Sequence, residues 1–170
     1  MMKILIDNNV AIDILAERNP GFEEASDIME YICLGACKAY LATKSITDIH
    51  YTLVKQFKKL GYGTTEMCKH KARCVLGSYL CAVDTADTIG EDVRYAFSSP
   101  MEDFEDSIVA SVANRYDIDY IVTNNISDFV NSPVKAIKPC EAIELLEEQQ
   151  SAITQQTVTA VNQEPTTAFF

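Results

Sequence analysis

Lys3-Ile4-Leu5-Ile6-Asp7-Asn8-Asn9-Val10-Ala11-Ile12-Asp13-Ile14-Leu15 is the stretch that decides the fold. Lys3 to Ile6 is apolar almost throughout, so it reads as a short strand buried on both faces. Asp7 ends that run. Asn8 or Asn9 then supplies an N-cap-like residue, and Val10, Ile12, Ile14 and Leu15 begin a short helix. A buried strand that stops on a carboxylate and turns straight into a helix belongs to an open α/β sheet. In such sheets ligands gather at the carboxyl ends of the strands, which makes Asp7 the first candidate site residue.

The same alternation continues outward. Arg18-Asn19-Pro20-Gly21 is a loop by its Pro-Gly pair. Phe22 to Gly35 is helical, with Ala25, Ile28, Met29 and Ile32 at core spacing. Ala39 to Ala42 is a second strand, and Ser45 to Phe57 a helix with Ile46, Ile49, Leu53 and Phe57 on one face. Gly61-Tyr62-Gly63 is a break, after which Thr64 or Thr65 caps a helix through Tyr79. Leu80 to Val83 reads as a third strand, Thr85 to Phe97 as a helix, and Glu105 to Arg115 as another with an acidic first turn. Tyr120 to Val122 and Val134 to Ile137 are strands, and Pro139 opens a closing helix. The pattern predicts a three-layer α/β/α domain. Its sheet holds four to five mostly parallel strands joined by right-handed crossovers. The domain spans 1–148. Residues 149–170 turn rich in Ser, Thr, Gln and Ala and read as a flexible tail, with Phe169-Phe170 as a docking element or a fraying end.

Four acidic segments fall at strategic points. Asp7 follows the first strand, Asp48 lies in Ser45-Ile46-Thr47-Asp48-Ile49, and Asp106 opens Asp106-Ser107-Ile108-Val109-Ala110-Ser111-Val112-Ala113. Asp128 lies in Thr123-Asn124-Asn125-Ile126-Ser127-Asp128-Phe129, just past the strand ending at Val122. Gathered at one sheet edge, these carboxylates would form a hard-cation site for Mg²⁺ or Mn²⁺, suited to phosphate chemistry. Each has a plainer reading. Asp13 caps or pairs within its helix. Asp103 and Glu105 serve a helix N-terminus. Asp48, beside an apolar stripe, faces solvent, and Asp128 is a turn residue.

The chain of 170 residues is 48% hydrophobic and suits one domain with a real core. No apolar run approaches the roughly 20 residues needed to cross a bilayer, and no secretory layout opens the sequence. A cytoplasmic protein away from the membrane is expected. Its six cysteines contain no Cys-x-x-Cys pair, so buried free thiols are expected rather than zinc or disulfides. The net charge of −11 opposes broad attraction to nucleic acid. The charge is uneven, however. Lys55, Lys58, Lys59, Lys69, Lys71 and Arg73 face only Glu66, six positives against one negative, so +5 here leaves −16 elsewhere. That segment, with Tyr62 interleaved, either follows an RNA backbone or is the solvated face of two helices.

Three of these segments resemble the motifs of the PIN-domain ribonucleases. Ile4 to Leu15 resembles the family's opening strand and its Asp, small polar residue, Asn, Val and second Asp. Asp106 to Ala113 is similar to its Asp-led late helix, and Ile121 to Phe129 to its strand followed by Thr-x-Asn/Asp-x-x-Asp-Phe. They come in the family's order over Met2 to Glu148, and motifs in register are more specific than any one alone.

The resemblance implies an endoribonuclease similar to the toxin half of a toxin–antitoxin pair, forming a homodimer and bound by a small antitoxin. It implies metal ligation by Asp7, Asp106 and Asp128, with Asn9 and Thr123 orienting the carboxylates. Asn125 stands where members carry Asp or Asn. Asp48 stands where the family has Glu, one methylene longer. With Mg²⁺ demanding contacts at about 2.0–2.1 Å, the shorter arm leaves open a catalytically weak PIN-like RNA- or protein-binding module. A receiver-like phosphoacceptor domain is a third class, but it needs adjacent acids after the first strand and a role for Asp84.

Overall fold

The computed structural model describes residues 1–161, with side chains to residue 152. Its strands are β1 (Met2–Ile6), β2 (Cys37–Ala42), β3 (Asp84–Ala86), β4 (Tyr120–Val122) and β5 (Ala136–Ile137). The helices are α1 (Asn8–Ala16), α2 (Phe22–Cys33), α3 (Thr43–Lys59), α4 (Thr65–Tyr79), α5 (Gly90–Ala96), α6 (Phe104–Arg115) and α7 (Pro139–Val161). One short 3₁₀ turn covers Ile126–Phe129. All strand pairings are parallel, in the order β3-β2-β1-β4-β5. The expected three-layer α/β/α sheet is therefore present, and it is parallel throughout.

β1 sits at the centre of the sheet, and this explains its composition. Met2, Ile4 and Ile6 enter one core, while Leu5 enters the other. The neighbours alternate in the same way, as period-two side-chain geometry requires. Cys37, Ala39 and Leu41 face the first core, and Tyr40 and Ala42 face the second. The first core takes the buried sides of α1, α2, α3, α4 and α7. The second is built on Val109, Ala110, Val112 and Ala113 of α6, against which α5 packs. Burying Ile4, Leu5 and Ile6 contributes roughly 1.5–3 kcal/mol each.

Strand order reverses between β1 and β4, since chain order runs one way from β1 through β2 to β3 and the other through β4 to β5. The backbone makes that junction tight. Asp7 N–H donates to Val122 O at 3.0 Å, immediately past the end of β1.

Several sequence expectations shift. The third strand is Asp84–Ala86 rather than Leu80 to Val83. Helical hydrogen bonding runs on past Tyr79, with Leu80 N–H donating to Leu76 O and Val83 N–H to Tyr79 O. The strand pairs only with β2, and an edge tolerates polar Asp84 and Thr85. Helix α5 starts correspondingly late, at Gly90. The six cysteines are all free, but only Cys37 and Cys68 are buried; Cys33, Cys74 and Cys81 are exposed. α7 continues past Glu148 to Val161, across the start of the expected tail. Phe169-Phe170 lies outside the described residues. Among those residues, no helix is long and apolar enough to cross a membrane.

Candidate metal centre

The site grows from the end of β1. Asp7 is the N-cap of α1, so one carboxylate serves two purposes. Its Oδ1 accepts from Asn8 N–H at 2.6 Å. Its Oδ2 accepts from Asn9 Nδ2 and from Thr123 Oγ1, each at 2.7 Å. Asn9 comes from the first turn of α1 and Thr123 from the end of β4, so the carboxylate is clamped from both sides of the β1–β4 junction. Thr123 is fully buried. Its hydroxyl also accepts from Asn125 N–H at 3.0 Å, and Asn9 Oδ1 accepts from Asn124 N–H at 3.1 Å. Asn9 and Thr123, the two residues expected to orient carboxylates, both donate to Asp7. Asn125 contributes its backbone, while its residue is exposed.

Two further carboxylates reach Asp7 electrostatically. Asp106 stands in the first turn of α6, which Asp103 caps by accepting from Glu105 N–H at 2.8 Å and Asp106 N–H at 3.0 Å. Asp128 lies in the 3₁₀ turn after β4, its Oδ1 accepting from Ser127 Oγ at 3.2 Å. Burial pushes Asp106 up to about 7, and the negative charges of Asp7, Asp103 and Asp128 push the same way. Burial also raises Asp7, against the hydrogen bonds from Thr123 and Asn8 and the charge of Lys44; Asp128 adds to the rise. Such mutual repulsion is what a missing positive charge looks like.

Asp48 does not join this group. It is exposed on α3, and among the described residues its carboxylate has no hydrogen bond or ion pair. The α3 charge felt by Asp7 and Asp106 is that of Lys44, one turn earlier. The lysine is mostly buried and ion-paired with Glu105 at 3.5 Å. Sequence reading missed it, because a lysine in a helix's first turn looks solvated. The signal was its place just beyond the carboxyl end of β2, where the rule that singled out Asp7 applies equally.

Asp13 neither caps α1 nor pairs with a residue of that helix; its partners come from the loop after α1 and from the segment after β4. It is buried and ion-paired with Arg18, and its Oδ2 accepts from Asn124 Nδ2 at 2.8 Å. A side chain at Gly21 would collide with it, its Cβ falling 2.4 Å from Asp13 Oδ2. Asp84 opens the edge strand and pairs with Lys38 at 3.0 Å. It does not follow the strand, so the receiver-like arrangement is not formed.

The donor set of Asp7, Asp106 and Asp128 is oxygen only and negatively charged, the chemistry that hard divalent cations select. The fit is one of donor type and charge. Among the described residues, no three Asp, Glu, His or Cys side chains already stand close enough to enclose an ion.

A parallel sheet with buried and half-buried carboxylates at its switch point defines the class of protein. Its sequence matches the PIN domain over residues 3–127, and the chain belongs to that family. The match includes Asp7, Asp48 and Asp106 and stops one residue short of Asp128. Solved structures share the fold at low identity. VapBC2 from Rickettsia felis, bound to a DNA fragment from their promoter, is 15% identical at a TM-score of 0.56, covering 81% of this chain and 98% of that one. PAE2754 from Pyrobaculum aerophilum is 16% identical at 0.57, covering 86% and 96%. FitAcB from Neisseria gonorrhoeae is 16% identical at 0.52, covering 80% and 97%. No curated protein matches the sequence.

Proposed function

We propose that the protein is a Mg²⁺- or Mn²⁺-dependent endoribonuclease that hydrolyses RNA phosphodiester bonds. In this reading it is the toxin of a toxin–antitoxin pair, a homodimer restrained by a small antitoxin protein. One observation carries the nuclease reading. Asp106 feels the negative charges of Asp7 and Asp128 beside the carboxyl end of β1, and among the described residues none of the three forms an ion pair. Membership of the PIN family supports it. The partner assignment is supported by the near-complete overlap with a component of VapBC2.

Asp7, Asp106 and Asp128 are the residues we assign to the cation, with Asp48 an exposed fourth candidate. A bound divalent cation supplies Lewis acidity at the scissile phosphate and a water of lowered pKa. The protein's own contribution is orientation. Asn8, Asn9 and Thr123 hold the Asp7 carboxylate in one pose, so little reorganisation is left for the reaction. Asp106, pushed up to about 7 by burial and the neighbouring carboxylates, would release its proton on binding a cation. Lys44 keeps a positive charge beside the carboxylates, where phosphate charge must be accommodated.

Lys44 also favours a second reading. With Asp48 turned to solvent and a lysine in its place, the domain would bind RNA or protein and cut weakly or not at all. Cleavage of a mixed structured RNA pool in Mg²⁺, Mn²⁺ or EDTA separates the two. The nuclease reading expects metal-dependent cutting that Asp7→Asn and Asp106→Asn each abolish. A wild type inert with both metals leaves the binding module.

A further inference from the structure

Helix α3 carries a track that leads from the mostly buried Lys44 beside the acidic centre to its exposed side at Asp48, Tyr51, Lys55 and Lys58. Lys44, Asp48, Tyr51, Lys55 and Lys58 are spaced three or four residues apart, so they line one face of the helix. That face is opposite the buried Ile49, Leu53 and Phe57. At a rise of about 1.5 Å per residue, Lys55 stands roughly 16 Å along the axis from Lys44. Tyr51 is 65% exposed, an unusual position for a large ring on a helix facing water. The ammonium of Lys55 lies 5.1 Å from its ring centroid.

The same pairing recurs at the hairpin turn. Tyr62 is 47% exposed between Gly61 and Gly63, which take the left-handed backbone the turn requires. Lys71 Nζ lies 3.3 Å from the Tyr62 ring centroid, and Phe57 meets that ring edge-on at 5.3 Å. A groove of about 600 Å³ opens there, lined by Tyr62, Glu66, Met67, His70, Lys71 and Arg73. Its one acid, Glu66, is neutralised by Lys69 at 3.5 Å. The hairpin is thus the +5 region of a chain that is otherwise −16.

We infer that the solvent face of α3 and the α3–α4 hairpin form a binding track for single-stranded RNA, with Tyr51 and Tyr62 stacking on bases and Lys55, Lys58 and Lys71 following phosphates. Exposed rings backed by cations are what an unpaired base and its backbone require together. A solvated helix face needs the lysines but has no use for the rings. Local positive charge on an acidic protein also confines a polyanion to this one face. The inference rests on the nuclease reading only in choosing RNA as the polyanion.

The test is fluorescence anisotropy of a labelled single-stranded RNA of about a dozen nucleotides, titrated with the full chain in EDTA across a range of salt. Tyr51→Ala is expected to weaken binding about ten-fold and Tyr51→Phe to leave it unchanged. The double variant Lys55→Ala, Lys58→Ala should lower the slope of log affinity against log salt by about 1.4, at about 0.7 per phosphate. Lys135→Glu, remote on the loop before β5, serves as the control and should bind as wild type. Unchanged affinity and slope in the Tyr51 and lysine variants overturn the track and leave this face to an acidic protein segment. A wild type that binds no RNA overturns it too. Metal-dependent cleavage by a protein whose track variants bind normally sinks the track alone. Track-dependent binding without any cleavage sinks only the nuclease.

Discussion

Asp7 and Asp92 are both buried carboxylates, 7% and 1% exposed, yet they sit in opposite electrostatic settings. Asp92 is enclosed by donors that include a full charge. Its Oδ2 accepts from Arg115 Nη2 at 2.8 Å and Ile89 N–H at 2.9 Å, and its Oδ1 accepts from Ser111 Oγ at 2.9 Å. Burial alone would raise it, but Arg115, Ile89 and Ser111 together hold it below the usual carboxylate range. Asp7 has three neutral donors and feels the charge of Lys44 only without an ion pair, and burial keeps it raised. Burial alone therefore does not separate the two acids; what separates them is that Asp92 has an ion-paired arginine and Asp7, which we propose as a cation ligand, has no ion pair among the described residues.

The largest effect is expected where the matched pair is broken. Arg115→Ala leaves Asp92 buried without its counter-charge and should cost about 3–5 kcal/mol in urea unfolding. Adding Asp92→Ala to it should recover part of that loss. A cost below about 1 kcal/mol would mean that Asp92 is no better compensated than Asp7.

A smaller effect follows from loosening the clamp on Asp7. Thr123→Val keeps the shape and removes the hydroxyl. Metal affinity by Mn²⁺ calorimetry, or cleavage, should fall by about 10–100-fold. Unchanged affinity would make the Thr123–Asp7 bond purely structural.

The smallest effect is on pH dependence without metal, and the two acids should act in opposite senses. With a folded value near 7 against an ordinary 3.8, Asp106 keeps its proton longer folded than unfolded. Its contribution is present below the unfolded value and is lost as pH rises through about 7. Asp92 is shifted down, so its contribution is lost as pH falls through the folded value. In EDTA the melting temperature should thus decline from mildly acid to neutral pH. Asp106→Asn should flatten that decline, by about 2–4 °C for each kcal/mol relieved. A variant whose melting curve keeps the wild-type slope would place the charge stress elsewhere.

What was legible in the sequence follows the same physics. Ile4-Leu5-Ile6 and Tyr120-Ile121-Val122 announced themselves because strands buried on both faces admit little but apolar side chains. Asp84-Thr85-Ala86 did not, because an edge strand has no such demand and Leu80 to Val83 looked better. Asp7 was readable from its place after a buried strand, whereas Asn9 and Thr123 were reached only through the resemblance to the PIN family. Asp92, midway along the helix expected over Thr85 to Phe97, gave no hint of burial, since its partners Ser111 and Arg115 come from α6. Lys44 was missed because α3 begins at Thr43, two residues earlier than its apolar stripe indicated, so the lysine read as lying before the helix.

The clamp on Asp7 also has a consequence during synthesis. Its hydroxyl donor, Thr123, lies 116 residues further along the chain, and Asp7 N–H waits for Val122 O in the same way. A nascent polypeptide that has emerged only as far as α6 carries Asp7 and Asp106 but has nothing to hold the first of them in place. The ribosome must therefore deliver the chain through Thr123 before the Asp7 clamp can assemble.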